Sequence, residues 1–155
     1  MIYLGIDPGK SGAIAALIHS WETVMGSTRR VIFQKNDATE RELSDWLMQI
    51  PANGGLHAVI ESVHASPQMG VTSAFTFGRG YGFLRGLLIG AKIPFEEVSP
   101  VRWQAALGCR SKGDKNVTKA KAGQLFPDVK VTHANADALL LAEYLRRLKN
   151  GEFAK

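Results

Sequence analysis

The sequence predicts an α/β domain with a mixed sheet of five strands flanked by helices. Two observations predict this class. Apolar runs of strand type alternate in the later chain with stretches of helical spacing, in the order three strands, helix, strand, helix, strand, helices. The first and fourth strands each end on a carboxylate, and a third carboxylate opens the last helix. The predicted sheet is therefore expected to carry a site at its edge.

Length and charge are consistent with this prediction. With 155 residues the chain suits one compact domain covering positions 1–155. The net charge is +5 and the sequence pI is about 9.5, which favours an anionic partner, with nucleic acid as the first hypothesis. Charge alone fits a solvated basic surface equally well.

Cysteine usage and hydropathy indicate the compartment. Cys109 is the only cysteine, so neither an intramolecular disulfide nor a cysteine-rich zinc site can form. The start of the sequence shows no signal-peptide pattern, and no uncharged apolar run reaches membrane-spanning length. We therefore expect a cytoplasmic protein, bacterial or in a phage-infected host, that does not interact with membranes.

The first predicted strands surround Asp7. An apolar run over Ile2–Ile6 leads to Asp7, a Pro-Gly turn follows, and a second strand begins at Ala13. A carboxylate at the end of a buried strand favours metal binding, although an Asp that only starts a turn is the alternative. The β-branched stretch Thr23–Gln34 predicts a third, edge strand of an antiparallel meander.

The next elements repeat this arrangement. A capping box of Thr39 and Glu42 predicts a helix that ends at residues 51–55. The apolar run Leu56–Glu61 then predicts a buried strand that again ends on a carboxylate. Residues 64–72 form a loop, and Ser73–Ala91 has helical spacing despite four interior glycines, for which close packing on the sheet is the predicted reason.

The last third predicts one strand and three helices. The strand is Ile93–Val98, and Pro100 opens a short helix. The basic stretch 108–121 runs into a helix that stops before Pro127. The final helix carries Asp137 in its first turn and is predicted to be capped by Thr132.

Six motifs in this order resemble RuvC-type Holliday junction resolvases, which have the RNase H-like fold, and especially their short phage and bacterial members. The resemblance covers nearly the whole chain. Its motifs are Gly5-Ile6-Asp7-Pro8-Gly9 with Ser11-Gly12, Ile60-Glu61-Ser62-Val63, Gly78-Arg79-Gly80-Tyr81-Gly82, Val98-Ser99-Pro100 with Trp103-Gln104, Leu125-Phe126-Pro127, and Ala136-Asp137-Ala138-Leu139-Leu140-Leu141-Ala142-Glu143-Tyr144.

The resemblance implies that Asp7, Glu61 and Asp137 bind two Mg²⁺ or Mn²⁺ ions per active site, with no organic cofactor. Phosphodiester hydrolysis agrees with this, because one ion generates hydroxide and the other stabilises the leaving oxygen. Asp7 would bridge the ions, Glu61 would hold one ion and orient the attacking water, and Asp137 would complete the shell of the other.

The family normally has a fourth ligand three or four residues before the position of Asp137. The residues at those spacings here are Ala134 and His133. We predict His133, because i and i+4 share a helix face and a helix N-terminus keeps imidazole neutral. A nitrogen ligand would make Mn²⁺ a better cofactor than usual.

The remaining predicted site residues would bind DNA. In resolvases a lysine of the basic stretch approaches the scissile phosphate, and Lys115 or Lys119 is the candidate catalytic residue here. Basic residues of the same stretch and of the glycine-rich helix would contact DNA phosphates. Residues of the loop after Glu61 would lie where the family inserts side chains into the junction centre. The predicted DNA-binding residues are His64, Gln68, Met69, Arg79, Arg85, Lys112 and Lys121.

The resemblance also implies partners. Symmetric cleavage of a four-way junction needs two active sites, so a two-fold homodimer is expected, with the helix Ser73–Ala91 at its interface. The substrates would be four-way junctions and other branched DNA. Two alternatives remain: a junction-binding protein with weak or no catalysis, suggested by the missing acidic residue before Asp137, and a generic RNase H-like nuclease.

Overall fold

A computed structural model describes residues 1–9, 11–22, 26–35, 38–50 and 55–153, and for 19–22, 26–30 and 33–35 it describes the backbone alone. It contains a five-stranded mixed sheet in the order β3-β2-β1-β4-β5. The elements in chain order are β1 (Ile2–Ile6), β2 (Ala13–Glu22), β3 (Gly26–Lys35), α1 (Glu40–Met48), β4 (Leu56–Glu61), α2 (Val71–Gly90), β5 (Phe95–Val98), α3 (Pro100–Ala106), α4 (Lys115–Leu125) and α5 (Ala136–Lys149).

The predicted α/β class and RNase H-like architecture are confirmed. β1, β2 and β3 form the antiparallel meander, with β3 at the sheet edge. β1 pairs in parallel with β4, and β4 with β5. The carboxyl ends of these three parallel strands therefore lie at one edge of the sheet, where ligands of open α/β sheets usually bind.

Successive residues of a strand point to opposite faces of the sheet. Because the side chains on both faces are apolar, helices cover each face. Tyr3 packs with residues of α3, α4 and α5 on one face. Leu4 and Ile6 point to the other face, where they pack with apolar residues of α1 and α2. Burial of both faces explains why β1 is apolar along its whole length.

Gly5 sets the distance between β1 and α5. A Cβ atom at Gly5 would lie 2.1 Å from the carbonyl oxygen of Ala138 and 2.2 Å from the backbone nitrogen of Ala142. Backbone atoms cannot move aside as a flexible side chain can, so only glycine allows this approach. The helix that carries Asp137 is thereby held against the strand that leads to Asp7.

Helix boundaries agree with the sequence prediction in α1 and differ slightly in α2. Thr39 and Glu42 form the predicted capping box. The predicted end of this helix at residues 51–54 lies outside the described residues, as do residues 23–25 of the predicted third strand. α2 begins at Val71, two residues before the predicted start, and ends at Gly90.

The predicted reason for the glycines of α2 is wrong. Among the described residues, a Cβ atom at Gly78, Gly80, Gly82 or Gly86 would meet no neighbouring atom within 4 Å. These glycines do not pack closely on the sheet. They leave the outer surface of α2 open.

The predicted cap of α5 is also wrong. The N-cap is Asn135, and the backbone carbonyl of Thr132 accepts a hydrogen bond from the N–H of Ala136 at 3.1 Å. The side chain of Asn135 is buried; its oxygen accepts from the N–H of Thr132 at 2.8 Å and its nitrogen donates to the carbonyl of Lys130 at 3.1 Å. Asn135 therefore holds the turn before α5 together, and this requirement is not visible in the sequence.

None of the described helices is both long enough and apolar enough to cross a membrane.

Candidate active site

Asp7 follows β1 directly and lies in a crowded turn. Its Oδ1 accepts a hydrogen bond from the N–H of Gly9 at 3.0 Å. A Cβ atom at Gly12 would lie 2.7 Å from Oδ2 of Asp7, so the glycine makes room for the carboxylate. Burial raises the pKa of Asp7, and the nearby charge of Asp137 raises it further, against the lowering effect of the Gly9 N–H.

Glu61 is the last residue of β4 and lies beside Asp7. The parallel register pairs Ile6 with Ile60, so the residues that follow them are neighbours at the strand ends. Oε1 of Glu61 accepts a hydrogen bond from the indole N–H of Trp103 at 2.8 Å. Burial, with smaller contributions from the charges of Asp7 and Asp137, raises the pKa of Glu61 to about 7.

Asp137 lies far from Asp7 and Glu61 in the sequence and is the second residue of α5. Contact of α5 with β1 at Gly5 brings it close enough for its charge to act on Asp7 and Glu61. Its Oδ1 is buried and has no hydrogen-bond partner among the described residues. A buried carboxylate oxygen without a donor is costly, which favours a cation at this position when the protein is active.

Among the described residues, Lys115 is the lysine whose charge acts on Asp7 and Glu61. It opens α4, and its charge lowers the pKa of both Asp7 and Glu61, although burial outweighs that effect. Glu61, Asp137 and Lys115 line a cleft of about 500 Å³, together with Arg110 and Lys112. The cleft thus combines carboxylates with cations, an arrangement that can receive a phosphate and a divalent ion together.

The three carboxylates lie near enough to affect one another electrostatically, but they do not form a metal coordination shell. Within the described part of the chain, no group of three or more His, Cys, Asp or Glu side chains is arranged to hold a metal ion. Asp7, Glu61 and Asp137 nevertheless supply the oxygen ligands that Mg²⁺ and Mn²⁺ prefer. The donor chemistry fits these ions, while the side-chain positions are not those of a complete coordination shell.

His133 lies outside the helix. It is exposed and belongs to the turn that precedes α5, three residues before Ala136. The prediction that His133 shares a helix face with Asp137 is wrong, because His133 precedes the first residue of α5. Its role as a ligand stays a prediction.

Lys119 and Lys121 differ from Lys115 in their surroundings. Lys119 lines a separate groove with Phe126 and Pro127. Lys121 lies near enough to Cys109 for its charge to lower the pKa of that thiol, which burial raises. Lys115 is thus the candidate catalytic lysine that lies with the carboxylates.

The loop after Glu61 extends toward α2. His64 and Gln68 are exposed, and the Ser66 hydroxyl donates to the side-chain oxygen of Gln68 at 3.0 Å. Met69 and Arg79 line a cavity of about 580 Å³ beside the turn that follows Asp7. This cavity is larger than the cleft but includes none of the three carboxylates, so the cleft is the candidate active site.

Arg85 is engaged within the chain. Its side chain forms an exposed ion pair with Glu97 at 3.0 Å and lies over the ring of Tyr81, 5.9 Å from the ring centre. A DNA contact by Arg85 would have to share the guanidinium with Glu97. Arg79, by contrast, is exposed at the edge of the cavity.

Comparisons with known proteins find relatives in structure alone. No protein-family model matches the sequence, and no curated protein matches it. The structure is similar to that of Thermus thermophilus RuvC, with a TM-score of 0.60, 17% identity, and coverage of 100% of this chain and 99% of the other. The chain has the RuvC fold.

The same similarity extends to a second RuvC structure. T. thermophilus RuvC in complex with a Holliday junction substrate has a TM-score of 0.60 and 16% identity, covering 99% of this chain and 98% of the other. A Fowlpox virus resolvase in a Holliday junction complex has a TM-score of 0.48 and 15% identity, with coverage of 96% and 99%. The RuvC fold agrees with the resemblance inferred from the motifs.

Two features of this site were not predicted from the sequence. Trp103 was expected only as part of a short helix and a motif, yet it binds Glu61 directly. Gln104 accepts hydrogen bonds from the backbone N–H and hydroxyl of Ser111 at 3.2 and 3.4 Å, which holds the basic loop at the cleft. The adjacent Trp and Gln after Pro100 were visible as a pair, but their partners, Glu61 and Ser111, could not be inferred from spacing.

Proposed function

We propose that the protein is a divalent-metal-dependent endonuclease that cuts four-way junctions and other branched DNA. The observation that carries this proposal is the convergence of Asp7, Glu61 and Asp137 with Lys115 at the carboxyl edge of a RuvC-like sheet. Cations at the cleft and a net charge of +5 favour a polyanionic substrate.

The roles of the residues follow from their surroundings. Asp7, Glu61 and Asp137 would hold two Mg²⁺ or Mn²⁺ ions, with His133 as the expected fourth ligand. Such ions, when bound, generate hydroxide from water and stabilise the leaving oxygen of a phosphodiester. Lys115 would bind the scissile phosphate, because its ammonium lies with the carboxylates, whereas Lys119 would contact DNA farther away.

The DNA surface would extend to both sides of the cleft. Lys112 and Lys121 would contact phosphates on one side. Arg79 and Arg85 would do so along α2, and His64, Gln68 and Met69 would reach the junction centre from the loop after Glu61.

A homodimer would place two such sites on one junction, and its interface would be α2. Large apolar residues on this helix are exposed: Val71 by 87%, Phe75 by 73% and Ile89 by 63%. Gly78 and Gly82 lie on the same helical stripe, and no atom of the described residues lies within 4 Å of a Cβ placed at either. An open apolar stripe with central glycines suits close contact with the same helix of a second copy.

A second candidate function is junction binding without cleavage. It is favoured by one observation, the lack of a grouped set of three metal ligands among the described side chains. The three separate carboxylates argue for catalysis, because a binding protein would gain nothing from negative charge next to phosphates.

One experiment separates these functions. The protein is incubated with labelled four-way junction, linear duplex, flap and RNA–DNA hybrid, each with Mg²⁺, Mn²⁺ or EDTA. We expect paired, symmetric nicks in branched DNA with either ion and none with EDTA. Binding without cleavage under every condition would support the second candidate, and cleavage of the hybrid would indicate a generic RNase H-like nuclease.

A further inference from the structure

We propose that Trp103 is a positioning residue for Glu61: its indole N–H holds one carboxylate oxygen and thereby leaves the other oriented for an ion in the cleft. This inference rests on the proposed function. It concerns a side chain that touches neither substrate nor ion.

The contact is direct and well formed. The indole nitrogen of Trp103 lies 2.8 Å from Oε1 of Glu61, and the two residues are 42 positions apart in the chain. Indole nitrogen only donates and does not titrate near neutral pH, so the bond does not depend on a protonation state of the tryptophan. A donor to a carboxylate forms one of the stronger hydrogen bonds in proteins.

Trp103 is held rigidly. Its side chain is 0% exposed and belongs to the cluster packed under α5. Its backbone N–H donates to the carbonyl of Ser99 at 3.3 Å, and its carbonyl accepts from the N–H of Leu107 at 3.0 Å. A ring of this size in a close-packed interior cannot change rotamer without displacing its neighbours.

The three carboxylates are restrained in different ways, and this difference gives Trp103 its role. Asp7 accepts from the N–H of Gly9 within its own turn. The buried Oδ1 of Asp137 has no hydrogen-bond partner among the described residues. Oε1 of Glu61 accepts a hydrogen bond from the indole of Trp103, so the tryptophan limits rotation of this carboxylate.

Trp103 could also serve only to stabilise the core. The test must therefore distinguish a loss of stability from a loss of Glu61 positioning. Partners that orient metal ligands change metal affinity by roughly 10- to 100-fold when removed. A core residue that only fills space changes stability and leaves the affinity of the folded protein unchanged.

The experiment measures Mn²⁺ binding by calorimetry, without DNA, for the wild type, Trp103→Phe and Leu107→Ala. Leu107 is 3% exposed, caps the same helix and packs in the same cluster, so it is the matched control. We expect Trp103→Phe to weaken Mn²⁺ binding roughly tenfold, and Leu107→Ala to lower the melting temperature without that change. Equal Mn²⁺ affinity of Trp103→Phe and wild type would overturn the proposal.

A second measurement covers the case in which Trp103→Phe does not fold. Indole N–H signals of the wild type are recorded by ¹⁵N NMR and assigned with Trp21→Phe and Trp46→Phe. We expect the Trp103 signal to exchange slowly with solvent and to shift on addition of Mg²⁺. A Trp103 signal that is unaffected by saturating Mg²⁺ would overturn the proposal.

Cleavage and Mn²⁺ binding by the wild type distinguish failure of the positioning role of Trp103 from failure of the proposed function. If the wild type cuts junctions and binds Mn²⁺, and Trp103→Phe binds Mn²⁺ with the same affinity, the positioning role alone is refuted. A wild type that neither binds Mn²⁺ nor cuts branched DNA would refute the proposed function and this inference with it.

Discussion

The two longest described helices, α5 and α2, lie on opposite faces of the sheet and differ sharply in how much of their surface is buried. Of the 14 residues of α5, nine are buried, whereas the 20 residues of α2 bury Leu84 and Leu88 alone. The glycines also differ in their surroundings: Gly5 lets α5 pack against the sheet, whereas a Cβ at the glycines of α2 would contact none of the described residues. The contrast suggests that α5 positions the chemistry while α2 is available for contact with other molecules.

The largest effect is expected where α5 touches β1. Gly5→Val would place a Cβ 2.1 Å from the carbonyl oxygen of Ala138, so the helix would have to move. We expect a loss of about 3 kcal/mol or more in the free energy of unfolding, or failure to fold. Urea denaturation measures this loss of stability, with Gly123→Ala in α4 as control, because no atom of the described residues lies within 4 Å of a Cβ at that position. The control should gain up to about 1 kcal/mol. Equal effects at both glycines would show that the close contact is not needed.

The next prediction compares a carboxylate of α5 with an arginine of α2. Asp137→Asn should reduce junction cleavage by more than roughly 100-fold, because even outer-shell partners of metal ligands cost 10- to 100-fold. Binding to the junction in EDTA should persist. Arg79→Ala should weaken binding and reduce its salt dependence, while cleavage at saturating protein stays near wild type. Gel-shift and single-turnover assays measure both. Loss of cleavage at saturation in Arg79→Ala would contradict the division between the two helices.

Ion pairs at the two helices should also differ. Glu143 of α5 is 2% exposed, and its carboxylate accepts from Arg146 and Arg147 at 2.9 and 2.7 Å. We expect Glu143→Gln to cost about 2 kcal/mol. Glu97→Gln, which breaks the exposed pair with Arg85, should cost less than about 0.5 kcal/mol. Thermal unfolding of both variants makes the comparison, and equal losses would contradict it.

The cost of Glu143→Gln should depend on pH. Burial alone would raise the pKa of Glu143, but the hydrogen bonds from Arg146 and Arg147 lower it below the ordinary 4.5. A carboxylate with a lowered pKa in the folded state stabilises the protein above its unfolded pKa, and this contribution is lost as pH falls through the folded pKa. The difference between wild type and Glu143→Gln should therefore be constant above pH 4.5 and shrink below it. A difference that grows toward acid pH would mean that Glu143 is not held as an anion.

His133 tests the turn that leads into α5. If this exposed imidazole closes on the site when an ion binds, His133→Ala should lower cleavage roughly tenfold, with the larger loss in Mn²⁺. Ala134→Gly in the same turn is the control for a change in the turn itself. Activity unchanged in both Mg²⁺ and Mn²⁺ would remove His133 from the ligand set.

The open stripe of α2 gives the smallest predicted effect. Gly82→Leu should leave the melting temperature of the folded chain near wild type, because a Cβ at this position would have no atom of the described part of the chain within 4 Å. It should raise the dimer dissociation constant by roughly tenfold, since overpacking of a contact costs about 1 to 3 kcal/mol. Analytical ultracentrifugation measures this, with Gly123→Leu as control. A dimer unaffected by Gly82→Leu would place the interface elsewhere.

Much of the site could be predicted because it depends on local patterns. Asp7 and Glu61 each end an apolar run, and parallel strands bring such ends to one edge of a sheet. Asp137 was predicted through the family resemblance, since its own context resembles any acidic residue in a helix's first turn. The cap of α5 was missed because Asn135 acts through contacts with Lys130 and Thr132 that its position does not reveal.

The order of strands and helices, the buried character of β1 and the carboxylates at two strand ends were determined by the sequence alone, because periodicity and turn residues act over short distances. The tertiary structure decided what depends on distant contacts. It placed Lys115 rather than Lys119 beside the carboxylates, joined Trp103 to Glu61 across 42 positions, and left the glycines of α2 facing outward. Such contacts arise from packing of whole elements, and no local pattern encodes which side chains will meet when α5 settles onto Gly5.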